Sequence, residues 1–269
     1  MKDKVVIITG ASSGIGRSLA YVYGEKGSKL VIASRNLESL EAIAKELTAS
    51  GVEVLAVKAD VSLEADCINV VNETIRRFGK IDILINNAGI SMRALFRDLD
   101  LDVIRRLMDT NFWGTVYCTK YALPYLLESK GTIVGVISVA GHIGLPGRTG
   151  YSASKFAVRG FLDTLRVENL KTGLKVLVVA PGFTASNIRR TALVADGSQQ
   201  GETPRNEDHL MSPDKVARRI YRAVKNRRRQ LILTFFEGKL AVLLKQWFPR
   251  LVDWQTYKQM AKEPDSPFK

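Results

Sequence analysis

Seven short runs rich in valine and isoleucine, separated by stretches of helical periodicity, constrain this chain more than any other feature. The runs are Val5 to Thr9, Lys29 to Ala33, Val52 to Lys58, Ile81 to Ile85, Thr132 to Ser138, Lys175 to Val179 and Gln230 to Thr234. They are apolar almost throughout, the pattern of strands buried on both faces. Helical periodicity fills residues 17–25, 37–49, 63–77, 103–127, 152–170 and 213–226. Such alternation predicts an α/β fold, a parallel sheet with helices on both faces. The 269 residues suit one domain, and no repeat, low-complexity tract or Pro/Ser-rich linker divides them. Apolar residues make up 46 % and charged ones 25 %, which excludes disorder and collagen-like repeats. Between 184 and 212 apolar periodicity fades into a polar run at Asp196 to Gly201, and a connection of that length reads as a substrate lid.

The formal charge is +13, which asks for an anionic partner such as a phosphorylated cofactor, a nucleic acid or an acidic membrane face. No nucleic-acid module surrounds the Arg227-Arg228-Arg229 cluster, so specific nucleic-acid binding is not expected. Cys67 and Cys118, each in a helix-like stretch, offer neither a disulfide framework nor a Cys-rich metal site, and a reducing, cytoplasmic setting is expected. The start of the chain passes directly into the first strand, leaving no room for a signal peptide, and no apolar run reaches eighteen residues. His142 and His209 lack ligand spacing, so no metal is expected; His142 reads as a simple loop histidine, with a place at the substrate mouth as the alternative.

Directly after the first strand comes Thr9-Gly10-Ala11-Ser12-Ser13-Gly14-Ile15-Gly16. Three glycines at a strand-to-helix turn let a phosphate approach backbone N–H groups at a helix N-terminus. In a doubly wound sheet this turn lies near the reversal of strand order, where ligands bind. An NAD site usually carries an acidic residue about twenty positions later. Here the chain reads Ala33-Ser34-Arg35-Asn36, and Arg35 offers a fork of donors suited to a phosphate. NADP is therefore the expected cofactor.

Tyr151 and Lys155 sit four apart at the start of a helical stretch, on one face. A phenol needs about 3 to 4 kcal/mol of help to titrate near neutrality. An ammonium about 4 Å away supplies only ~1 kcal/mol in water but about 4 at an effective dielectric of ~20, so the site must be dry. Ser138, closing the fifth strand, brings a hydroxyl to the same edge, and Asn111 and Asn86-Asn87-Ala88-Gly89 bring amides.

In order and spacing, the glycine turn, Asn86-Asn87-Ala88-Gly89, Asn111, Ser138, Tyr151-x-x-x-Lys155 and Pro181-Gly182 resemble the short-chain dehydrogenase/reductase family over residues 4 to about 185. The resemblance implies a Rossmann-type sheet of seven strands and hydride transfer between NADP(H) and an alcohol or carbonyl compound. It implies Tyr151 as the general acid or base, Lys155 lowering its pKa and holding the nicotinamide ribose, Ser138 binding the substrate oxygen and Asn111 positioning a water. For the cofactor it implies Gly10, Ser12, Ser13, Gly14, Ile15, Gly16, Arg35, Asp60 toward the adenine amine with Val61 beside it, Asn87, Ala88, Gly89, Tyr151, Lys155, Pro181, Gly182 and Thr184. A homodimer or homotetramer also follows by analogy. A non-catalytic NADPH sensor is the alternative, but its mark would be a broken Tyr/Lys/Ser set, and this set is whole.

From 235 to 269 the chain becomes basic and amphipathic. Phe236, Leu240, Leu243, Leu244, Trp247, Leu251 and Trp254 recur mostly at steps of three and four, flanked by Lys239, Lys245, Arg250 and Lys258, with Pro249 expected to end or kink the helix. The segment reads as a cover on the substrate cleft, a subunit interface or a peripheral contact with an anionic membrane. Likeness to steroid-ketone and lipid-ketone reductases implies a hydrophobic substrate.

Overall fold

In the computed structural model, residues 1–203, 210–263 and 266 are described. His209 and the part of the expected lid from 204 to 209 lie outside the described residues, as do 264, 265 and 267–269 of the C-terminal extension.

Seven parallel strands form one sheet in the order β3-β2-β1-β4-β5-β6-β7. They are β1 (Val5–Thr9), β2 (Lys29–Ser34), β3 (Val54–Lys58), β4 (Ile83–Asn86), β5 (Thr132–Val136), β6 (Lys175–Ala180) and β7 (Gln230–Ile232). In register, Ile7 lies between Val31 on β2 and Leu84 on β4. Every residue of β1 is buried, because Val6 and Ile8 face one helical layer and Ile7 the other. One layer holds α1 (Gly14–Gly24), α2 (Leu37–Ala49) and α7 (Pro213–Lys225). The other holds α3 (Glu64–Phe78), α5 (Gly114–Glu128) and α6 (Thr149–Glu168). A short α4 (Leu101–Leu107) precedes α5. Strand order reverses between β1 and β4, so their carboxyl ends diverge into a crevice.

Several boundaries differ from the sequence expectation. β4 starts at Ile83 rather than Ile81, beside an Asp82 carboxylate that accepts the Val5 N–H at 2.9 Å. β3 starts at Val54 rather than Val52, whose N–H is held by the Leu47 carbonyl at the end of α2. β5 ends at Val136, and Ser138 instead caps a short turn, its Oγ accepting from Ala140 N at 3.2 Å. β7 stops at Ile232 rather than running to Thr234. The helix expected over 103–127 is interrupted by a π-helical turn, Met108–Trp113, which holds Asn111. Such widened turns recur at functional sites because they redirect a side chain that an unbroken helix would aim elsewhere.

After β7 a π-helical turn (Phe235–Leu240) leads to α8 (Ala241–Trp247) and α9 (Pro249–Ala261). The break at Phe248 falls where Pro249 removes a backbone donor, and that proline then opens α9. The described residues of the lid form no helix or named strand, yet Ala192 and Leu193 are buried. Leu193 bridges to Met92 and packs with Leu99, Val103 and Leu107, an apolar anchor that the polar run beside it concealed.

Candidate active site

The carboxyl ends of the strands open into a cavity of roughly 1090 Å³. Gly10, Ser12, Ser13, Gly14 and Ile15 form one side of it, Arg35, Asp60 and Val61 another, and Asn87, Ala88 and Gly89 a third. Ser138, Tyr151, Lys155, Pro181, Gly182 and Thr184 face the same space.

The glycines act in different ways. Gly10 has φ +64°, a conformation costly to other residues, and turns the chain out of β1. Gly16 does not line the cavity: a Cβ there would stand 2.2 Å from the Gly10 carbonyl oxygen, so it lets α1 pack against the turn. At Gly14, φ is +52°. The N-terminus of α1 carries no side-chain cap from Ser13 and no acidic residue in its first turn. Its N–H groups and dipole thus favour an anion, and the cradle fits a dinucleotide phosphate. The Asn87 amide donates to the carbonyls of Thr9 and Gly10 at 2.9 and 3.2 Å, fixing the turn from behind.

Arg35 follows β2, with 69 % of its side chain exposed, and the Asp60 carboxylate stands 4.0 Å from its guanidinium. Asp60 Oδ1 accepts from the N–H and hydroxyl of Ser62, while Oδ2 faces Arg35.

Tyr151 and Lys155 lie in the first turns of α6, the lysine buried and the tyrosine partly buried. Burial pushes the Tyr151 phenol above its ordinary value; a hydrogen bond from the Ser138 hydroxyl and the nearby Arg148 guanidinium pull the other way. Burial also brings Lys155 from 10.5 down to about 8. Its Nζ donates to the Val136 carbonyl at 3.1 Å and stands 5.8 Å from the centre of the Tyr151 ring. The dryness that strengthens charge attraction also raises the cost of carrying the charges.

Asn111 stands behind the wall instead of on it. Its Oδ1 accepts from Ile90 N at 2.8 Å, and its Nδ2 donates to Ile90 O at 3.0 Å and to Ser154 Oγ at 2.9 Å. Ser154 in turn donates to the Tyr151 carbonyl at 2.8 Å. One amide therefore ties the loop after β4 to the turn that carries the tyrosine. A Cβ at Gly89 would lie 3.0 Å from Asn111 Oδ1 and 3.2 Å from Lys155 Nζ, a tight fit that a side chain could enter only if these groups shifted.

His142, for which a place at the substrate mouth was the alternative, is buried outside the cavity lining, with Nε2 3.4 Å from the Gln230 amide nitrogen. Burial holds its imidazole down at about 4. Sequence reasoning missed Arg148, Phe183, Ser186 and Leu193, which line the cavity; Leu240, Leu244 and Val252 of the C-terminal segment, which one reading placed over the cleft, line it too. Position alone marked Arg148, three residues before the tyrosine.

The arrangement can hold a phenol, a hydroxyl and an ammonium around one point beside an anion-binding turn. Residues 4–195 match the family described as short chain dehydrogenase. The chain belongs to the short-chain dehydrogenase/reductase family. Its members are oxidoreductases that act on alcohol or carbonyl groups with a nicotinamide cofactor. Among relatives, mouse dehydrogenase/reductase SDR family member 7B is 37 % identical over 256 residues, spanning 93 % of this chain and 79 % of the relative. The 11-beta-hydroxysteroid dehydrogenase A of Sesamum indicum is 36 % identical over 278 residues, 99 % of this chain and 78 % of that one. A short-chain dehydrogenase/reductase from Burkholderia phymatum, solved with NAD, superposes with a TM-score of 0.83 at 26 % identity, covering 93 % and 95 % of the two chains. The alcohol dehydrogenase of Thermococcus sibiricus, solved with 5-hydroxy-NADP, gives 0.78 at 26 % identity, covering 86 % and 96 %.

Proposed function

We propose that this protein is an NADPH-dependent carbonyl reductase whose substrate is a hydrophobic ketone or aldehyde, steroid-like or lipid-like. The observation that carries the reading is the convergence of Ser138, Tyr151 and Lys155 on a cavity shared with the glycine turn and Arg35. Bound nicotinamide supplies the hydride. Tyr151, kept protonated by burial, donates its proton to the carbonyl oxygen, and Ser138 orients that oxygen by hydrogen bonding. Lys155 holds the cofactor ribose, and Asn111 keeps the helix of Tyr151 in place against the loop after β4.

Arg35 supports NADPH over NADH because it is exposed at the end of β2 with room for a phosphate, and one charge-assisted contact contributes about 1.5 to 3 kcal/mol. Arg35→Ala is expected to lower kcat/KM for NADPH by roughly tenfold to a hundredfold while leaving NADH nearly unchanged. Equal losses with both cofactors would overturn the assignment.

A hydrophobic substrate is supported by Phe183, Leu193, Leu240, Leu244, Val252 and Met260 on the cavity wall, and by relatives named for a steroid. NADPH oxidation over aldehydes, ketosteroids, long-chain ketones and sugars identifies the class; preference for sugars would refute it. We also propose a cytoplasmic protein that rests on anionic membranes through α8 and α9, whose outward side carries exposed Trp247, Phe248 and Trp254 among Lys245, Arg250 and Lys258. Self-association as a dimer or tetramer is supported by exposed Trp113, beside the start of α5, and Phe156 on α6, and a monomeric mass by light scattering would remove it.

A further inference from the structure

Glu263 follows α9, yet its side chain is only 4 % exposed. Its carboxylate accepts from Arg148 Nη2 at 3.1 and 3.4 Å, and Arg93 Nε stands 3.7 Å away. Both arginines are about nine-tenths buried as well. These three charges come from the loop after β4, the residue before α6 and the end of the C-terminal segment. Charged side chains are seldom buried this deeply unless paired, and removing one partner of a buried pair is costly.

Two further observations give the cluster a meaning. Arg148 lines the cavity, three residues before Tyr151. And the segment that ends in Glu263 has a thin apolar attachment: α8 has no buried residue, and α9 buries only Val252 and Met260. Val252 is buried near the start of α9 and Met260 near its end, three residues before Glu263, so the carboxylate adds ion pairs to a single apolar contact at that end.

We propose, on the basis of the carbonyl-reductase reading, that Glu263 is a specificity-determining residue. By docking on Arg148 and Arg93 it helps hold the C-terminal helices over the cavity and offsets the Arg148 charge that the cavity wall would present. The pocket is thereby fitted to uncharged carbonyl compounds, and a substrate bearing a carboxylate finds its natural counter-ion already taken.

The test uses the full chain as wild type, Glu263→Gln and Glu263→Asp, with a long-chain keto acid and its methyl ester as matched substrates. Wild type is expected to favour the ester by at least about tenfold in kcat/KM. Glu263→Gln raises the acid-to-ester ratio by about tenfold or more, and Glu263→Asp returns most of the way. In hydrogen exchange without substrate, the amides of α8 and α9 in Glu263→Gln exchange about tenfold faster, while those of β1 to β5 do not change. Wild type reducing the acid as readily as the ester overturns the proposal, and so does a Gln variant with wild-type ratio and exchange. If that variant does not fold, the wild-type ratio decides alone. Failure of wild type to reduce any carbonyl in the screen refutes the enzymatic reading and the specificity role with it; the exchange of α8 and α9 then still reports whether Glu263 anchors them, which separates the two failures.

Discussion

The strand-end wall of the cavity and the cover formed by α8 and α9 meet around the same space but are held there differently. On the wall side, β1 is buried throughout and α1 buries Leu19, Ala20, Val22 and Tyr23 against the sheet. At roughly 1.5 to 3 kcal/mol for each large apolar side chain, that packing is tied to the stability of the whole fold. On the cover side, a small cluster of Val139, Ile143 and Val252, with Ala241, Val242 and Leu244 at its edge, joins the buried ion pairs of Glu263. Regions with few buried apolar contacts open at lower free energy, so the cover is suited to admit substrate while the wall stays fixed.

The contrast is sharpest at Tyr151, where the wall supplies chemistry that the cover cannot replace. Tyr151→Phe removes one hydroxyl while keeping the ring packed, so folding and NADPH affinity are expected to stay near wild type. Carbonyl reduction falls by about 10² to 10⁴, the usual contribution of a positioned acid. Residual activity within tenfold of wild type, measured by NADPH oxidation, would assign proton donation to another group.

Lys155 breaks the assumption that everything in the wall serves stability. Its folded pKa of about 8 lies below the ordinary 10.5, so between these values the unfolded chain binds the proton and the folded one does not. Stability therefore rises with pH across that window, and below about pH 8 the full cost of roughly 3 kcal/mol is present. Lys155→Met removes that cost and loses the bond to Val136, for a net gain of about 2 kcal/mol at pH 7. Calorimetry is expected to show Tm higher by about 4 to 8 °C, with the gain shrinking toward pH 10.5. A lower Tm at pH 7 would mean that the ammonium is better solvated than its surroundings imply.

The same division governs what the sequence discloses. Strands buried on both faces leave unbroken Val/Ile runs, and a turn that admits a phosphate needs glycine, so the sheet and the positions of Gly10, Tyr151 and Lys155 were legible before any coordinates. Asn111 was legible as a residue but not as a brace, because its partners Ile90 and Ser154 lie 21 and 43 positions away. Arg148 and Glu263 carry no signal in the sequence, since a pairing across 115 residues leaves no local pattern. Leu193 was hidden in a polar stretch whose periodicity is broken by the bridges that bury it.

The smallest effect concerns the two sides of the cover itself. Leu244 and Val252 turn toward the cavity, whereas Trp247 is 74 % exposed and Trp254 is half exposed with Lys258 lying over its ring. An inward side that lines a pocket and an outward side that is aromatic and basic are the two surfaces required of a helix pair lying between a bilayer and a hydrophobic cavity. At about 1 kcal/mol for each basic residue near an anionic surface, wild type is expected to co-sediment with phosphatidylserine vesicles at low salt and to be released as salt screens the attraction. Trp247→Ser withdraws apolar area from the bilayer without touching the cavity, weakening partitioning by about 1 to 2 kcal/mol, or five- to thirtyfold, while KM for a water-soluble carbonyl compound stays unchanged. Absence of wild-type protein from the vesicle pellet at low salt would leave the outward aromatics to a second copy of the chain, and the cover would then be a subunit interface.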